Sequence, residues 1–197
     1  MRGVNRSISP RPSALTRLQY IMAHPQARGA AISIKVYVKK VNNMSEIDKD
    51  KVIAVLNRIL ETELAGVVRY THYSFLVFGF GRIPTVSWLR EQASESLLHA
   101  QHAGEWITTL GAYPSLVIGP LLDSHKHDIG AILRESLQAE GDALNLYREL
   151  LALVEDRSVA LEEFARQMIH AEEAHAAEVD KMLRKPGDLS AFAPRSM

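Results

Sequence analysis

The chain has 197 residues, 47% of them apolar, which suits one soluble globular domain with a substantial core. It contains no cysteine, which excludes disulfide bonds and thiolate–metal sites. No apolar run reaches the roughly 18 residues that a membrane-spanning helix needs, so we expect no membrane partner. The lack of cysteine and of a secretory signal favours the cytoplasm.

The formal net charge of zero conceals a strong division of charge along the chain. Residues 1–43 contain eight basic residues and no acidic one, whereas the remainder holds all 23 acidic residues and has a formal charge of −8. The negative charge of residues 44–197 argues against nucleic acid as the main partner. We expect residues 1–43 to be a basic, disordered extension; a targeting segment and a translation start at Met44 are the alternatives.

Four amphipathic helices are predicted after this extension. They are helices A, B, C and D, over residues 48–78, 84–110, 128–154 and 159–184. We expect Ser45 to cap helix A, Pro84 to take the first position of helix B, and residues 186–197 to form an irregular tail. The connection between helices B and C is too long for a simple hairpin and could instead cross the length of the bundle. The sequence predicts an all-α four-helix bundle over residues 44–185.

Each predicted helix carries a glutamate in the middle of its apolar stripe, and two of the stripes add a histidine. These residues are Glu63, Glu95, His99, Glu140, Glu172 and His175. An unpaired buried carboxylate costs several kcal/mol, and the stripes contain no lysine or arginine that would compensate the charge. Two divalent cations would balance four carboxylates and leave both imidazoles neutral. This pattern is typical of di-iron carboxylate bundles, and we predict a two-metal site.

Oxygen and nitrogen ligands without sulfur favour iron, with manganese or zinc as possible metals. In the predicted site, Glu95 and Glu172 bridge the two metals, whereas Glu63 and Glu140 are terminal ligands. Each metal receives one of the two histidines. Because the metals carry out the predicted reaction, the six ligands are also the predicted catalytic residues.

The histidine on helix B has a possible substitute. His99 lies four residues after Glu95, which still places both side chains on one face of the helix. His102 could replace or join His99 as a ligand. Tyr70 and Tyr147 are predicted to donate hydrogen bonds to the ligands or to act as electron donors.

Three segments of the chain resemble helices A, C and D of bacterioferritins. They are Leu60 to Tyr70 (LETELAGVVRY), Leu137 to Ala143 (LQAEGDA) and Glu172 to His175 (EEAH). The resemblance covers residues 48–184 and implies a ferritin-like, left-handed four-helix bundle with a long crossover between helices B and C. It also implies a ferroxidase centre that oxidises Fe(II) with O₂ or peroxide, in a homo-oligomer that stores or detoxifies iron.

Helix B departs from the bacterioferritin pattern at one position. Ser96 stands where that family has the glutamate of a Glu-x-x-His motif. The haem-ligating methionine of bacterioferritins follows that glutamate; here Leu97 follows, so no haem is predicted. Two alternative functions stay open: another ferritin-like di-metal enzyme, such as a peroxidase or oxidase, and a non-catalytic bundle stabilised by metal.

Overall fold

A computed structural model describes residues 47–121 and 127–191, which form a bundle of four α-helices. They are α1 (Lys49–Leu76), α2 (Arg82–Thr109), α3 (Ile129–Val154) and α4 (Val159–Leu183), which correspond to the predicted helices A to D. Helix α1 packs against α2 and α3, and α4 packs against α3. The all-α prediction is confirmed, whereas the predicted extension over 1–43 lies outside the described residues.

Two helix starts differ from the prediction. Asp48 caps α1, because its Oδ1 accepts a hydrogen bond from the backbone N–H of Lys51 at 3.3 Å. The predicted cap, Ser45, lies outside the described residues. Helix α2 begins at Arg82, so Pro84 lies within its first turn rather than at its first position. Proline is tolerated there because first-turn N–H groups have no partner within a helix.

The apolar core consists of two clusters at different heights along the helices. On α1, the buried residues of the first cluster end at Leu60 and those of the second begin at Tyr70. On α2, the second cluster ends at Ala93 and the first begins at Ala100. The intervals between them contain the predicted ligands of both helices. The packing of the bundle therefore places the polar groups between two apolar layers.

The connection between α2 and α3 follows α1. The backbone N–H of Ser115 donates to Oδ1 of Asn57 at 2.8 Å, and that of Gly119 donates to the carbonyl oxygen of Glu61 at 2.8 Å. These bonds fasten the part of the crossover before residue 122 to the middle of the first helix. Within the described ranges, no helix is both long and apolar enough to cross a membrane.

The crossover contact requires a glycine. A Cβ atom at Gly119 would lie 2.8 Å from the carbonyl oxygen of Glu61, and helix backbone cannot move aside as a flexible side chain would. We expect Gly119→Ala to lower the free energy of unfolding by about 1–3 kcal/mol, the usual cost of overpacking. Gly104→Ala is the control, because nothing lies within 4 Å of an added Cβ there.

That control should raise the free energy of unfolding by about 0.5–1 kcal/mol, since alanine is the better helix former. Urea denaturation measures both variants. Equal stability changes in the two variants would show that the crossover does not pack on α1 in solution.

Candidate metal centre

All four helices contribute to a polar cluster in the middle of the bundle. Glu63, His99, Glu140 and Glu172 are buried, and His175 is partly buried. Each comes from the apolar stripe of its helix, so the packing that buries the stripe also buries the charge. Carboxylates in this position must be compensated by protons, partners or metal ions.

The first group of possible ligands joins α1, α2 and α4. Nδ1 of His99 lies 3.0 Å from Oε1 of Glu172 and 3.5 Å from Oε1 of Glu63. The three residues each offer one ligand atom, and these atoms all lie within 4.8 Å of one another. One imidazole and two carboxylates therefore converge on a single position, called position 1 below.

The second group joins α3 and α4. Nδ1 of His175 lies 3.8 Å from Oε2 of Glu140 and 3.8 Å from Oε2 of Glu172. These three residues also offer ligand atoms within 4.8 Å of one another, at what we call position 2. Glu172 belongs to both groups and directs one carboxylate oxygen to each.

The spacing of these donors suits a small divalent cation. Metal–nitrogen and metal–oxygen bonds are about 2.0–2.2 Å long, so neighbouring donors around one ion lie roughly 3–3.5 Å apart. The nitrogen–oxygen distances at His99 are 3.0 and 3.5 Å, and those at His175 are both 3.8 Å. Imidazole nitrogens and carboxylate oxygens bind Fe(II), Mn(II) or Zn(II). The donors at His99 therefore lie at the spacing of ligands around one ion, and those at His175 lie slightly farther apart.

The electrostatics of the cluster also favour positive charge. Burial acts to lower the pKa of His99, but hydrogen bonds with Glu172 and Glu63 outweigh it and raise that pKa to about 10. Hydrogen bonds with Glu140 and Glu172 raise the pKa of His175 to about 10. Burial raises the pKa of the Glu140 carboxyl to about 7. In the metal-free chain the two imidazoles and the Glu140 carboxyl thus hold protons that a bound metal would displace.

The shared carboxylate behaves differently from Glu140. Burial acts to raise the pKa of Glu172, but hydrogen bonds with His175 and His99 lower it below its ordinary value. Glu172 is 2% exposed, and the hydrogen bonds with the two imidazoles favour its charged form in spite of this burial. A charged carboxylate between two cationic groups is the arrangement that a bridging ligand needs.

Two buried tyrosines donate hydrogen bonds to Glu63 and Glu140, the two carboxylates that each belong to a single ligand group. The Tyr147 hydroxyl donates to Oε1 of Glu63 at 2.8 Å, and the Tyr70 hydroxyl donates to Oε1 of Glu140. Burial raises the pKa of both tyrosines well above the ordinary value, so the hydroxyls stay protonated donors. Tyr70 on α1 thus bonds to Glu140 on α3, and Tyr147 on α3 bonds to Glu63 on α1, so the two hydrogen bonds link these helices.

Glu95 and His102 lie outside both groups. Oε2 of Glu95 lies 3.1 Å from Nε2 of His175, on the nitrogen that the other carboxylates do not approach. His102 is exposed, and its ring packs edge-on against Phe164 with centroids 6.4 Å apart. The prediction that Glu95 bridges two metals stays a prediction.

Arg69 is a buried charge that the sequence did not reveal. It lies beside the stripe of α1, is 7% exposed, and has its guanidinium 5.6 Å from the ring centroid of Tyr70. Its Nη2 lies 3.9 Å from where a Cβ of Gly66 would be. The small residue one turn earlier was the available signal, since it leaves room for a long side chain between α1 and α2.

A four-helix bundle whose buried glutamates and histidines converge in its core is the arrangement of the class of di-metal carboxylate proteins. A family model described as a ferritin-like domain matches residues 53–187. The chain belongs to this ferritin-like family, and the predicted ferritin-like fold is confirmed.

Several solved structures share the fold. Ferritin-like, diiron-carboxylate proteins from Bacillus anthracis str. Ames are 25% identical, with a TM-score of 0.64 over 70% of this chain and 98% of that chain. The Rhodobacter capsulatus bacterioferritin, whose structure has a metal-free dinuclear site and haem iron, is 28% identical, with a TM-score of 0.61 over 68% and 84%. The predicted resemblance to bacterioferritins is therefore confirmed.

A third similar structure is a bacterioferritin-related, dodecameric thioferritin from Bacteroides fragilis. It is 22% identical and has a TM-score of 0.66 over 74% of this chain and 92% of that chain, which is a likeness of fold. No curated protein matches the chain.

Proposed function

We propose that this chain is a bacterioferritin-like di-iron protein that oxidises Fe(II) to Fe(III), as a ferroxidase in iron storage or detoxification. The observation that carries the proposal is the position of Glu172, which directs one oxygen to each of two nitrogen–oxygen ligand groups. The shared carboxylate would serve both ligand groups, and two Fe(II) ions bound there would supply two electrons to O₂ or peroxide. Fe(II) is then a substrate as well as an occupant of the site.

Five side chains would hold the two ions. Glu63 and His99 would serve position 1, Glu140 and His175 position 2, and Glu172 both. Bound iron supplies the redox chemistry, two electrons for each pair of ions that is oxidised. The chain fixes the ligands through the two tyrosine hydroxyls and excludes water with the apolar clusters above and below.

Charge balance supports two cations in this pocket. Three carboxylates converge directly on the two positions, and the carboxylate of Glu95 stands 3.1 Å from the outer nitrogen of His175. Two divalent ions would offset all four negative charges and leave both imidazoles neutral. Manganese or zinc would satisfy the same balance without Fe(II) oxidation.

The proposal includes a homo-oligomer. Apolar side chains on α1 and α2 are exposed in the single chain, among them Val68, Phe75, Leu97 and Leu98. Solvent-exposed apolar faces of this kind are covered in protein–protein interfaces. The fold is shared with a dodecameric thioferritin, which supports assembly without fixing the number of subunits.

Aerobic iron loading tests the proposed function. We expect the chain to oxidise Fe(II) and to retain many more Fe(III) ions than its two binding groups can hold. Iron is added in small portions, and soluble Fe(III) is counted per chain after gel filtration. Rapid peroxide or organic-substrate turnover without iron retention would favour another di-metal enzyme. Unfolding on chelation, with no oxidation at all, would favour a structural metal site.

A further inference from the structure

The two histidines of the centre are held differently. His175 faces carboxylates on both ring nitrogens, with Glu140 and Glu172 at Nδ1 and Glu95 at Nε2. His99 faces Glu63 and Glu172 at Nδ1. Among the described residues, no carboxylate lies within 4.0 Å of Nε2 of His99. The histidine of position 2 thus has a carboxylate, that of Glu95, at its Nε2 atom. The histidine of position 1 has no such partner in the described part of the chain.

The ring geometry separates Glu95 from the metal positions. The two nitrogens of an imidazole point in divergent directions, so a group hydrogen-bonded to Nε2 lies across the ring from an ion at Nδ1. An imidazole that binds an ion through Nδ1 carries its proton on Nε2 and donates it outward. The carboxylate of Glu95, at 3.1 Å, is placed to accept that hydrogen bond.

We propose that Glu95, in place of the bridging role predicted from the sequence, is a positioning residue that makes position 2 the tighter of the two metal positions, so that the positions fill in a fixed order. The inference rests on the proposed function, because it requires both groups to bind metal. A carboxylate on the outer N–H of a ligating histidine fixes its tautomer and orientation and raises its basicity. Removing such a partner typically costs 10–100-fold in metal affinity.

The place of Glu95 on α2 suits this role. Its side chain is 39% exposed, whereas that of Glu172 is 3% exposed. The next residue, Ser96, turns toward α1, where its Oγ lies 2.8 Å from the position of a Cβ on Gly66. Helix α2 therefore supplies a hydroxyl toward α1 and a carboxylate toward the outer edge of His175.

Cobalt(II) titration of the metal-free full chain tests the order of filling. Co(II) does not react with O₂ under mild conditions in such sites, and its visible absorption reports ligation directly. We expect two resolved binding steps in the wild type. Glu95→Gln should weaken the tighter step by about 10–100-fold and change the weaker step little. Glu91→Gln is the control, an exposed glutamate one turn earlier whose carboxylate accepts from Ser87 at 3.3 Å.

Proton NMR of the Co(II)-loaded protein distinguishes positioning from ligation. The Nε2 proton of His175 should give a hyperfine-shifted signal that exchanges slowly with water in the wild type and faster in Glu95→Gln. Loss of one bound Co(II) in this variant would make Glu95 a ligand and overturn the proposal.

Two other results would also overturn it: equal affinities in the wild type, or equal weakening of both steps by the substitution. In each case the binding of two Co(II) ions would leave the proposed function standing. A wild-type chain that bound no Co(II) or Fe(II) would defeat the proposed function itself.

Discussion

Glu172→Gln is expected to abolish rapid Fe(II) oxidation and to remove both metal positions at once. The side chain directs Oε1 toward His99 at 3.0 Å and Oε2 toward His175 at 3.8 Å, so it is the residue common to both groups. Glutamine keeps the shape and burial but loses the charge that both ions need. The oxidation rate should fall to that of Fe(II) in buffer, while the helical content stays unchanged.

Stopped-flow oxidation and metal counting measure this effect. Glu173→Gln is the matched control, because the neighbouring side chain is exposed and pairs with Arg148 at 2.9 Å. Glu63→Gln should weaken position 1 and leave binding at position 2. If Glu172→Gln kept the wild-type oxidation rate, the assignment of the shared ligand would be wrong.

The metal-free chain is expected to lose stability as pH rises from about 6.5 toward 10. The pKa of His99 and the pKa of His175 both rise from 6.5 to about 10 in the folded chain, so folding favours their protonated forms. Their contribution is complete below pH 6.5, the ordinary value of the unfolded chain, and is lost as the imidazoles deprotonate.

Glu140 and Glu172 affect the stability of the metal-free chain mainly at lower pH than the two histidines do. The pKa of Glu140 rises from 4.5 to about 7, so its contribution is likewise lost as pH rises between those values. The pKa of Glu172 is lowered, so its contribution is lost as pH falls below 4.5. Stability of the metal-free chain should therefore be greatest in slightly acid solution.

Thermal unfolding at a series of pH values measures the loss. Each pKa unit corresponds to about 1.4 kcal/mol, and 1 kcal/mol shifts the Tm by roughly 2–4 °C in a domain of this size. We expect the Tm to fall by roughly 5 °C or more between pH 6.5 and 9. Metal-loaded protein should show a much smaller fall, since metal replaces the displaced protons. Identical pH profiles with and without metal would contradict the account.

The helices could be predicted because their periodicity is local. An apolar residue at every third or fourth position defines a stripe, and Gly111 followed by Pro114 marks the end of α2. Periodicity does not identify the N-cap of α1, because Ser45 and Asp48 are both residue types that cap helices well. Only the folded chain selects Asp48, through its bond with Lys51.

The site could be predicted in part, because burial of a stripe fixes which face each ligand occupies. From the stripes, the sequence predicts one site for six residues but not which oxygen faces which nitrogen; these residues are Glu63, Glu95, His99, Glu140, Glu172 and His175. That depends on the height and rotation of one helix against another, which no single-helix pattern contains. The hydrogen bonds of Tyr70 and Tyr147 between α1 and α3, and the contact of Glu95 with Nε2 of His175, both depend on how the helices pack against one another.

An anaerobic Fe(II) titration of the metal-free chain, followed by admission of O₂, tests the central claim most directly. We predict a break at two Fe(II) per chain, one for each ligand group, and then rapid oxidation seen as near-ultraviolet absorbance of Fe(III). Tight binding without oxidation would contradict the ferroxidase and leave a structural or non-iron site. Absence of binding would mean that the buried glutamates serve another partner, which would refute the di-iron centre.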